Sequence, residues 1–584
     1  MRLLHILAAA LLTAATALGA RAANSLYATG GFNGWNVKAP AQFAQGDDGI
    51  FSLDIDFSSS REFKMSTATG AGAAGNGWTE FDTGALKPVA DCTIGQWTAI
   101  IANSSGNIIA PAARLLTVEV DLAAMRMRFV RAAEYSGTLP VLFIDTEGGA
   151  PVTSKEDYLT ATYRLDPLGL PGYEAFGTAD APLPMQIRGR GNYTWTGFDK
   201  KPYRIKLGSK AALLGMKKSK HFVLLAHADD TLGFMRNTLG FAASRHAGLA
   251  WTPAQRPVEV VLNGDYIGLY FLTENIRVDE DRVDVVEQAD MATSDVDGGW
   301  LVEIDNYDAD PHVTVYEGSY PVWFTYKSPE VLSTEQSTYL QSQMQAIQDA
   351  IAAADYAAFS ALVDPDMLAR YYMVQEVMND YESFHGSCYL YRQRGAAERW
   401  MFGPVWDFGS ALFRDGDNRF IYDSEYHQVW IGAICKAFPQ FIGVVKGVWQ
   451  QFLADGAPEA IVAEGEALAT EISAAAAANY RRWPQYGNAD EAASAATAFS
   501  RLHSKVEWLR TQWGSGGIAD MSAAPALRVY TSGGTLCIEA AEACTVAVTA
   551  LDGTVRRFDL RPGLNTFTSL PRGFYIAAGR KVIL

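Results

Sequence analysis

Cysteine and positive charge are both scarce in this chain of 584 residues. Its five cysteines, Cys92, Cys388, Cys435, Cys537 and Cys544, are too few for a disulfide framework and are not spaced as zinc knuckles. Cys537 and Cys544 flank an expected hairpin, where either a disulfide or two packed thiols would satisfy them. Lys and Arg number 48 against 65 Asp and Glu, a net charge of −17, which excludes a broad nucleic-acid surface. Any phosphate chemistry must therefore be local. Beyond the first two dozen residues no uninterrupted apolar run is long enough to span a bilayer. What is plentiful is core: 49% of residues are hydrophobic and 19% charged, the balance of a folded chain, and the length suggests three or four domains.

The two ends carry different signals from the middle. MRLLHILAAALLTAATALGARAANS has an early Arg, an apolar run and an Ala20-x-Ala22 exit, so residues 1–22 read as a secretory signal peptide and the mature protein as exported. Residues 23–133 alternate as short strands, SLDIDF and TVEVDL among them, and predict a β-sandwich. GGFNGW and the neighbouring FKMS resemble the small sandwich modules of bacterial starch-binding proteins. That resemblance makes Trp35, Trp78 and Trp97 candidates for a sugar-stacking platform, with burial in a core as the alternative. Residues 524–584 again read as short strands, ending GFYIAAGRKVIL, and resemble the C-terminal sorting domains of Bacteroidetes cell-surface proteins.

Residues 137–514 are the informative part, and they read as an α+β domain. It starts as mixed α/β; from Thr334 helix dominates, with apolar residues at spacings of three and four in TEQSTYLQSQMQAIQDAIAAA, MLARYYMVQEVM and EALATEISAAAAANYRRW. Within MQIRGRGNYTWTGFDKKPYRIKL, Arg188, Arg190, Lys200, Lys201, Arg204 and Lys206 put six cations into nineteen residues of an acidic chain. Strand alternation sets Arg204 and Lys206 on one face and Tyr203 and Ile205 on the other. A Gly-rich turn between basic strands suits an anion, because backbone amides approach closely and guanidinium groups bind phosphate in pairs; a solvated basic hairpin is the other reading. VEVVLNGDYIGLYFLTENIRV predicts a hairpin turning at Asn263–Gly264 and closing on Glu274, a carboxylate among apolar neighbours that needs a cation partner. Glu303, Asp305, Asp308 and Asp310 crowd one loop that offers oxygen ligands to a cation such as calcium, or is simply solvated.

The last cluster, Tyr371–Phe413, orders a helix, the polar loop NDYESFHGS, the strand CYLYR, a turn at Arg394–Glu398 and a returning RWMFGPVWDF. It ends on the tripeptide Asp407–Phe408–Gly409, a pattern too short to carry meaning alone. In this order one carboxylate can orient an attacking hydroxyl while another holds a phosphate-bridging metal. A pair such as Asp380 or Glu382 with Asp407 also suits glycoside hydrolysis, although a hydrolase has no use for the basic hairpin.

Taken in sequence, IRGRGN, KKPYRIKL, MRNTLGF, VVLNGDYIGLYFLTENI, GGWLVEIDNY, CYLYR and GPVWDFGSALF resemble the CotH family of spore-coat protein kinases and their secreted relatives. The resemblance implies an atypical protein-kinase-like central fold, ATP with Mg or Mn, and transfer of the γ-phosphoryl group to Ser or Thr of a protein substrate. It makes Asp407 the metal-binding aspartate, with Ser387 where spore-coat members tend to carry Asn. It assigns Arg188, Arg190, Asn192, Lys201, Arg204, Lys206 and Glu274 to the nucleotide side. Asp380 and Glu382 compete for the catalytic acid-base position. Within residues 137–514 the ordinary kinase patterns GxGxxG and HRD do not occur. These departures support a rival expectation, a catalytically weak surface protein acting in adhesion or glycan binding.

Overall fold

The computed structural model describes residues 25–514 and 527–583, apart from 58, 112–114, 132–133, 306–309, 396, 415, 417, 487–490, 533–534, 541–542, 551–554, 569, 572 and 578–579. The expected signal peptide and Asp308 lie outside the described residues. Among the described residues no single helix is long and apolar enough to cross a membrane.

From Tyr27 to Arg131, nine short strands follow one connected antiparallel path, with a tenth (Ile108–Ile109) pairing off it onto Glu62–Ser66, folded over a core of Leu26, Phe51, Phe63, Leu116, Val118, Met127 and Phe129. The alternating runs do what period two requires: in Leu115–Asp121 every second residue is buried. Trp35, Trp78 and Trp97 are all half-buried and outside that core. At the other end, strands between Arg528 and Ile583 form a three-stranded and a four-stranded sheet around Leu536, Ile538, Val548 and Leu560. The hairpin expected between Cys537 and Cys544 is not there. Thr535–Ala540 pairs with Arg528–Ser532 and Gly563–Phe567, Cys544–Ala550 lies in the other sheet, and Cys537 is a free thiol.

The central domain opens with a closed barrel. Its strands are β1 (Val141–Thr146), β2 (Leu159–Asp166), β3 (Leu183–Gly189), β4 (Tyr203–Ala211), β5 (Ser219–Leu225), β6 (Gln255–Leu262) and β7 (Asp265–Glu274), in the order β1-β2-β3-β4-β5-β7-β6. Neighbours pair antiparallel except β6, which returns to β1 in parallel and closes the ring. Closure leaves no free edge, and it sends alternate side chains inward: Ile187, Tyr203, Ile205, Leu207, Phe222 and Leu272 fill the interior. The partners of those residues on the outer face are therefore free to be charged.

The helical half follows. After β5 comes α1 (Met235–Ala247), and after the barrel a five-stranded sheet of β8 (Trp300–Asp305), β9 (His312–Glu317), β10 (Tyr320–Ser328), β11 (Cys388–Arg392) and β12 (Met401–Phe402). Between β10 and β11 run α2 (Thr334–Ala352), α3 (Tyr356–Leu362) and α4 (Pro365–Val377). α5 (Ile431–Ala437), α6 (Pro439–Ala454), α7 (Ala457–Arg482) and α8 (Glu491–Trp513) complete the domain. Strand and helix are segregated along the chain, the arrangement of an α+β domain. RWMFGPVWDF returns as a strand only over Met401–Phe402, and the rest is loop.

Helix α7 fastens the two halves through a bulge in β7. Gly268 has φ 107°, and a Cβ there would stand 2.4 Å from Asn479 Oδ1 of α7, so no other residue fits. The amide of Leu269 donates to that Asn479 oxygen, and Trp483 Nε1 donates to the carbonyl of Ile267 at 2.9 Å.

Candidate active site

Barrel and helical half face each other across a cleft of about 1800 Å³. Ligand pockets commonly measure roughly 300–1,000 Å³, so this one has room for two reactants.

One wall is the outer face of the barrel. Register places Arg188 directly opposite Arg204 and Lys206 opposite His221, so all four side chains share one face, and with Arg277 they line the cleft. Like charges directly opposed on a sheet are unfavourable unless something else satisfies them. Here satisfaction is incomplete. Arg188 donates to the carbonyl of Lys155 and lies 3.8 Å from Glu156, but Nε of Arg188 and Nε of Arg204 are buried without a partner. Burial, then Arg277, Arg204 and Lys206, push His221 down to about 4, so it is neutral at physiological pH. Arg190 lies 5.7 Å over the Trp406 ring; burial lowers its guanidinium, with Asp407 its largest opposing attraction. Asn192 lines the cleft, but its side-chain oxygen already accepts from Lys155 Nζ at 2.8 Å.

Three residues expected on this side stand elsewhere. Lys201 does not line the cleft; its Nζ donates to the Trp195 carbonyl at 2.6 Å. Lys200 is buried, donating to the carbonyls of Ala226 and Leu269 at 2.7 and 2.6 Å, and burial drives it well below the ordinary amine value. Both precede β4, which begins at Tyr203, so strand alternation never reaches them. Glu274 is also buried away from the cleft, where it takes Arg282 at 2.9 Å and the amide of Ala254 at 3.0 Å. Its partner comes from the loop after the strand, not from the basic hairpin.

The opposite wall is acidic. Asp407 is exposed between the buried Trp406 and Phe408, in the left-handed region at φ 57° that Asp tolerates better than most residues. The loop after β5 supplies Asp229 and Asp230, which the motif reading passed over although they stand just before MRNTLGF. Asp230 accepts from the amides of Leu232 and Arg236 at 2.8 and 3.1 Å. Asp229 is pushed up to about 6 by burial, then by Asp230 and Asp407. A Cβ built on Gly409 would lie 3.2 Å from Asp407 Oδ1 and 3.4 Å from Asp229 Oδ2, so the two carboxylates flank that glycine.

Helix α1 welds these loops together. Arg236 Nη1 donates to the carbonyls of Gly409 at 2.7 Å and Asp229 at 3.3 Å, and Asn237 Oδ1 accepts from the Phe408 amide at 3.0 Å. Gly240 is the position that lets Phe408 in, since a Cβ there would meet the ring at 2.3 Å.

The polar loop after α4 brings up the remaining acids, and burial separates them. Asp380 is fully buried and does not line the cleft; it accepts from Ser410 Oγ, its Oδ2 has no partner, and burial pushes it up to about 7. Glu382 is exposed in the cleft with Asp407 as its largest like-charge neighbour, and Ser387 lines the same cleft at φ 53°. At the floor Glu303 is buried and pairs with Lys327 at 2.9 Å; Lys327 also lies 3.6 Å from Asp310. The acidic loop expected to hold calcium is thus partly neutralised by Lys327 of β10, which strand pairing delivers from 17 and 24 positions away (327 − 310 and 327 − 303).

Among the described residues no three His, Cys, Asp or Glu side chains converge as a ready metal cage. Asp407 and Asp229 nevertheless fit magnesium or manganese, because Mg²⁺ takes only one or two carboxylates and completes its shell with waters and phosphate oxygens. The glycine between them leaves open the space a side chain would fill.

No curated protein matches the chain. A family model described as CotH kinase protein matches residues 187–511, from the middle of β3 to the end of α8. The match takes in the basic hairpin, the Asp229 loop, α1, both candidate bases and Asp407, and it spans more than half of the sequence. The chain belongs to the CotH kinase protein family.

Proposed function

We propose that the central domain is an atypical protein kinase that moves the γ-phosphoryl group of ATP onto a protein Ser or Thr hydroxyl with Mg or Mn. One observation carries the reading: a single cleft sets the opposed Arg188 and Arg204, with unpartnered buried Nε atoms, against the Asp229 and Asp407 carboxylates. That charge separation is what a metal-bound polyphosphate neutralises from both sides.

In this reading Arg188, Arg204 and Lys206 cradle the phosphate oxygens and Arg190 reaches between them and Asp407. Asp407 and Asp229 would hold the divalent ion, which supplies charge neutralisation on the phosphates when bound. Glu382, the candidate base exposed in the cleft, takes the proton of the acceptor hydroxyl as its oxygen bonds to the γ-phosphorus. The bond from that phosphorus to the β-γ bridging oxygen breaks and ADP leaves. Asp380 lies behind, where it accepts from the Ser410 hydroxyl and fixes that side chain. Incubation with labelled ATP and manganese tests this directly. Label should appear in the chain or an added protein and vanish in Asp407→Ala; label that survives that change removes the assignment.

A second reading is favoured by the N-terminal domain. Trp35 and Trp78, both half-buried, have ring centroids 6.2 Å apart, with Lys64 Nζ 5.0 Å over Trp78. Such a pair suits the apolar face of a sugar, which would make an exported chain a glycan-bound surface protein with a weak transferase centre. A glycan array on the full chain, paired with melting curves in ATP and manganese, separates the two: sugar binding with no nucleotide shift supports the second.

A further inference from the structure

The cleft wall around Glu382 has a feature that phosphate and metal do not use. Among the described residues, Phe413 is 53% exposed and Tyr426 38% exposed, and both line the cleft at its carboxylate end. Two exposed aromatic rings on one cleft wall offer apolar surface that a ligand can cover.

Their backbones are held firmly. Arg501 Nη1 donates to the carbonyls of Leu412 and Phe413, each at 2.8 Å, and the Leu412 amide donates to Met378 at 2.9 Å. Tyr426 stacks on Tyr381 at 5.7 Å with 14° between the planes, and Tyr381 is the residue before Glu382. Gln428 donates to the Tyr381 carbonyl and accepts from the Phe384 amide at 3.1 Å, so it pins the Tyr426 segment to the Glu382 loop. On the other side Arg236, which holds Gly409, lies 5.8 Å over the Phe413 ring. The rings thus frame Glu382 and Asp407 from two sides.

The two carboxylates facing the cleft here disfavour an acidic visitor. Arg414 and Arg419 both bind Glu425, and Arg236 is committed to backbone carbonyls, while Glu382 and Asp407 face the cleft. What this wall offers is flat apolar surface beside carboxylates.

Resting on the transferase reading, we propose that Phe413 and Tyr426 form the acceptor subsite, and that the acceptor is an extended peptide whose Ser or Thr has an aromatic residue two positions away. In an extended chain, side chains two apart share a face and lie about 7 Å from each other, so one meets Glu382 while the other lies on the rings. An acidic residue at that position would be repelled.

The test is peptide binding without nucleotide, so it does not depend on turnover. Fluorescein-labelled Ser peptides carrying Phe, Ala or Asp two residues from the Ser are titrated with the full chain and followed by anisotropy. The Phe peptide should bind about five- to tenfold tighter than the Ala peptide, the size of one aromatic contact, and the Asp peptide weakest. Phe413→Ala and Tyr426→Ala should each shrink that gap, while Tyr426→Phe keeps it. Equal binding of the Phe and Ala peptides, or a preference that survives the double alanine variant, overturns the proposal. A Phe preference without phosphoryl transfer in ATP and manganese upholds the subsite and removes the transferase reading instead.

Discussion

Arg188 and Arg204 stand directly opposite one another on paired strands, and the Nε of each is buried without a partner. Their mutual repulsion is a cost of the ligand-free fold that a polyphosphate relieves, so Arg204→Gln should raise the melting temperature of the free protein. The same change should weaken triphosphate binding by roughly 1.5–3 kcal/mol, the usual worth of a hydrogen bond to a charged group. Melting curves with and without nucleotide read both effects, and a variant that gains stability and keeps the full nucleotide shift would show that the pair does not face phosphate.

Asp407 is exposed and contributes little to the core, so Asp407→Ala should still fold, at a cost of about 1–2 kcal/mol because alanine tolerates φ 57° less well than Asp. It should lose the manganese-dependent part of the nucleotide shift and slow transfer by on the order of 10²–10³-fold, as removal of an electrostatic stabiliser does. Circular dichroism checks the fold, and the melting shift checks the loss.

The two candidate bases separate by exposure. Glu382→Gln should retain nucleotide binding and lose about 10²–10⁴-fold in turnover, the range for removal of a general base. Asp380→Asn should keep the Ser410 contact and much more of the rate, because the carboxylate it replaces does not reach the cleft. Single-turnover assays on the pair decide which carboxylate takes the proton.

His221 gives a pH signature. Its folded value of about 4 lies below the ordinary 6.5, so between those values the unfolded chain holds a proton that the native one lacks. Native stability should therefore fall as pH drops through that window. A bound phosphate favours the imidazolium and raises its pKa, so triphosphate binding takes up a proton at His221. Acidification from neutrality should strengthen binding more in the natural chain than in His221→Asn; identical pH profiles would place His221 outside the phosphate site.

Gly240→Ala tests how Asp407 is positioned. Alanine gains about 1 kcal/mol in helix propensity, but its Cβ would collide with Phe408, and overpacking costs roughly 1–3 kcal/mol. The expected result is net destabilisation with a further loss of transfer, since Phe408 carries its neighbour with it. Chemical denaturation and the labelled-ATP assay measure the two parts.

Local pattern alone determined much of this protein. Period-two alternation set the faces of Tyr203–Leu207 and Leu115–Asp121, three-four spacing gave α2, α4 and α7, and Asn263–Gly264 gave the β6–β7 turn. Each follows from geometry within a few residues, which a sequence shows directly. The ordered motifs likewise pointed to Asp407 and to the Arg188–Lys206 hairpin, of which Arg188, Arg204 and Lys206 line one cleft with it.

Tertiary structure decided what depends on burial and on distant partners. Lys200 and Lys201 looked like Arg204 in the sequence, yet one is buried on carbonyls and the other bound to Trp195, because the strand begins after them. Glu274 and Glu303 found cations through folding, Arg282 from a loop and Lys327 from the neighbouring strand. Asp380 and Glu382 are two residues apart, and only the tertiary packing of their loop buries one and leaves the other in the cleft. Asp229 joins the cleft wall beside Asp407 because Arg236 of α1 ties its loop to Gly409, a contact across 173 positions (409 − 236) that no local pattern encodes.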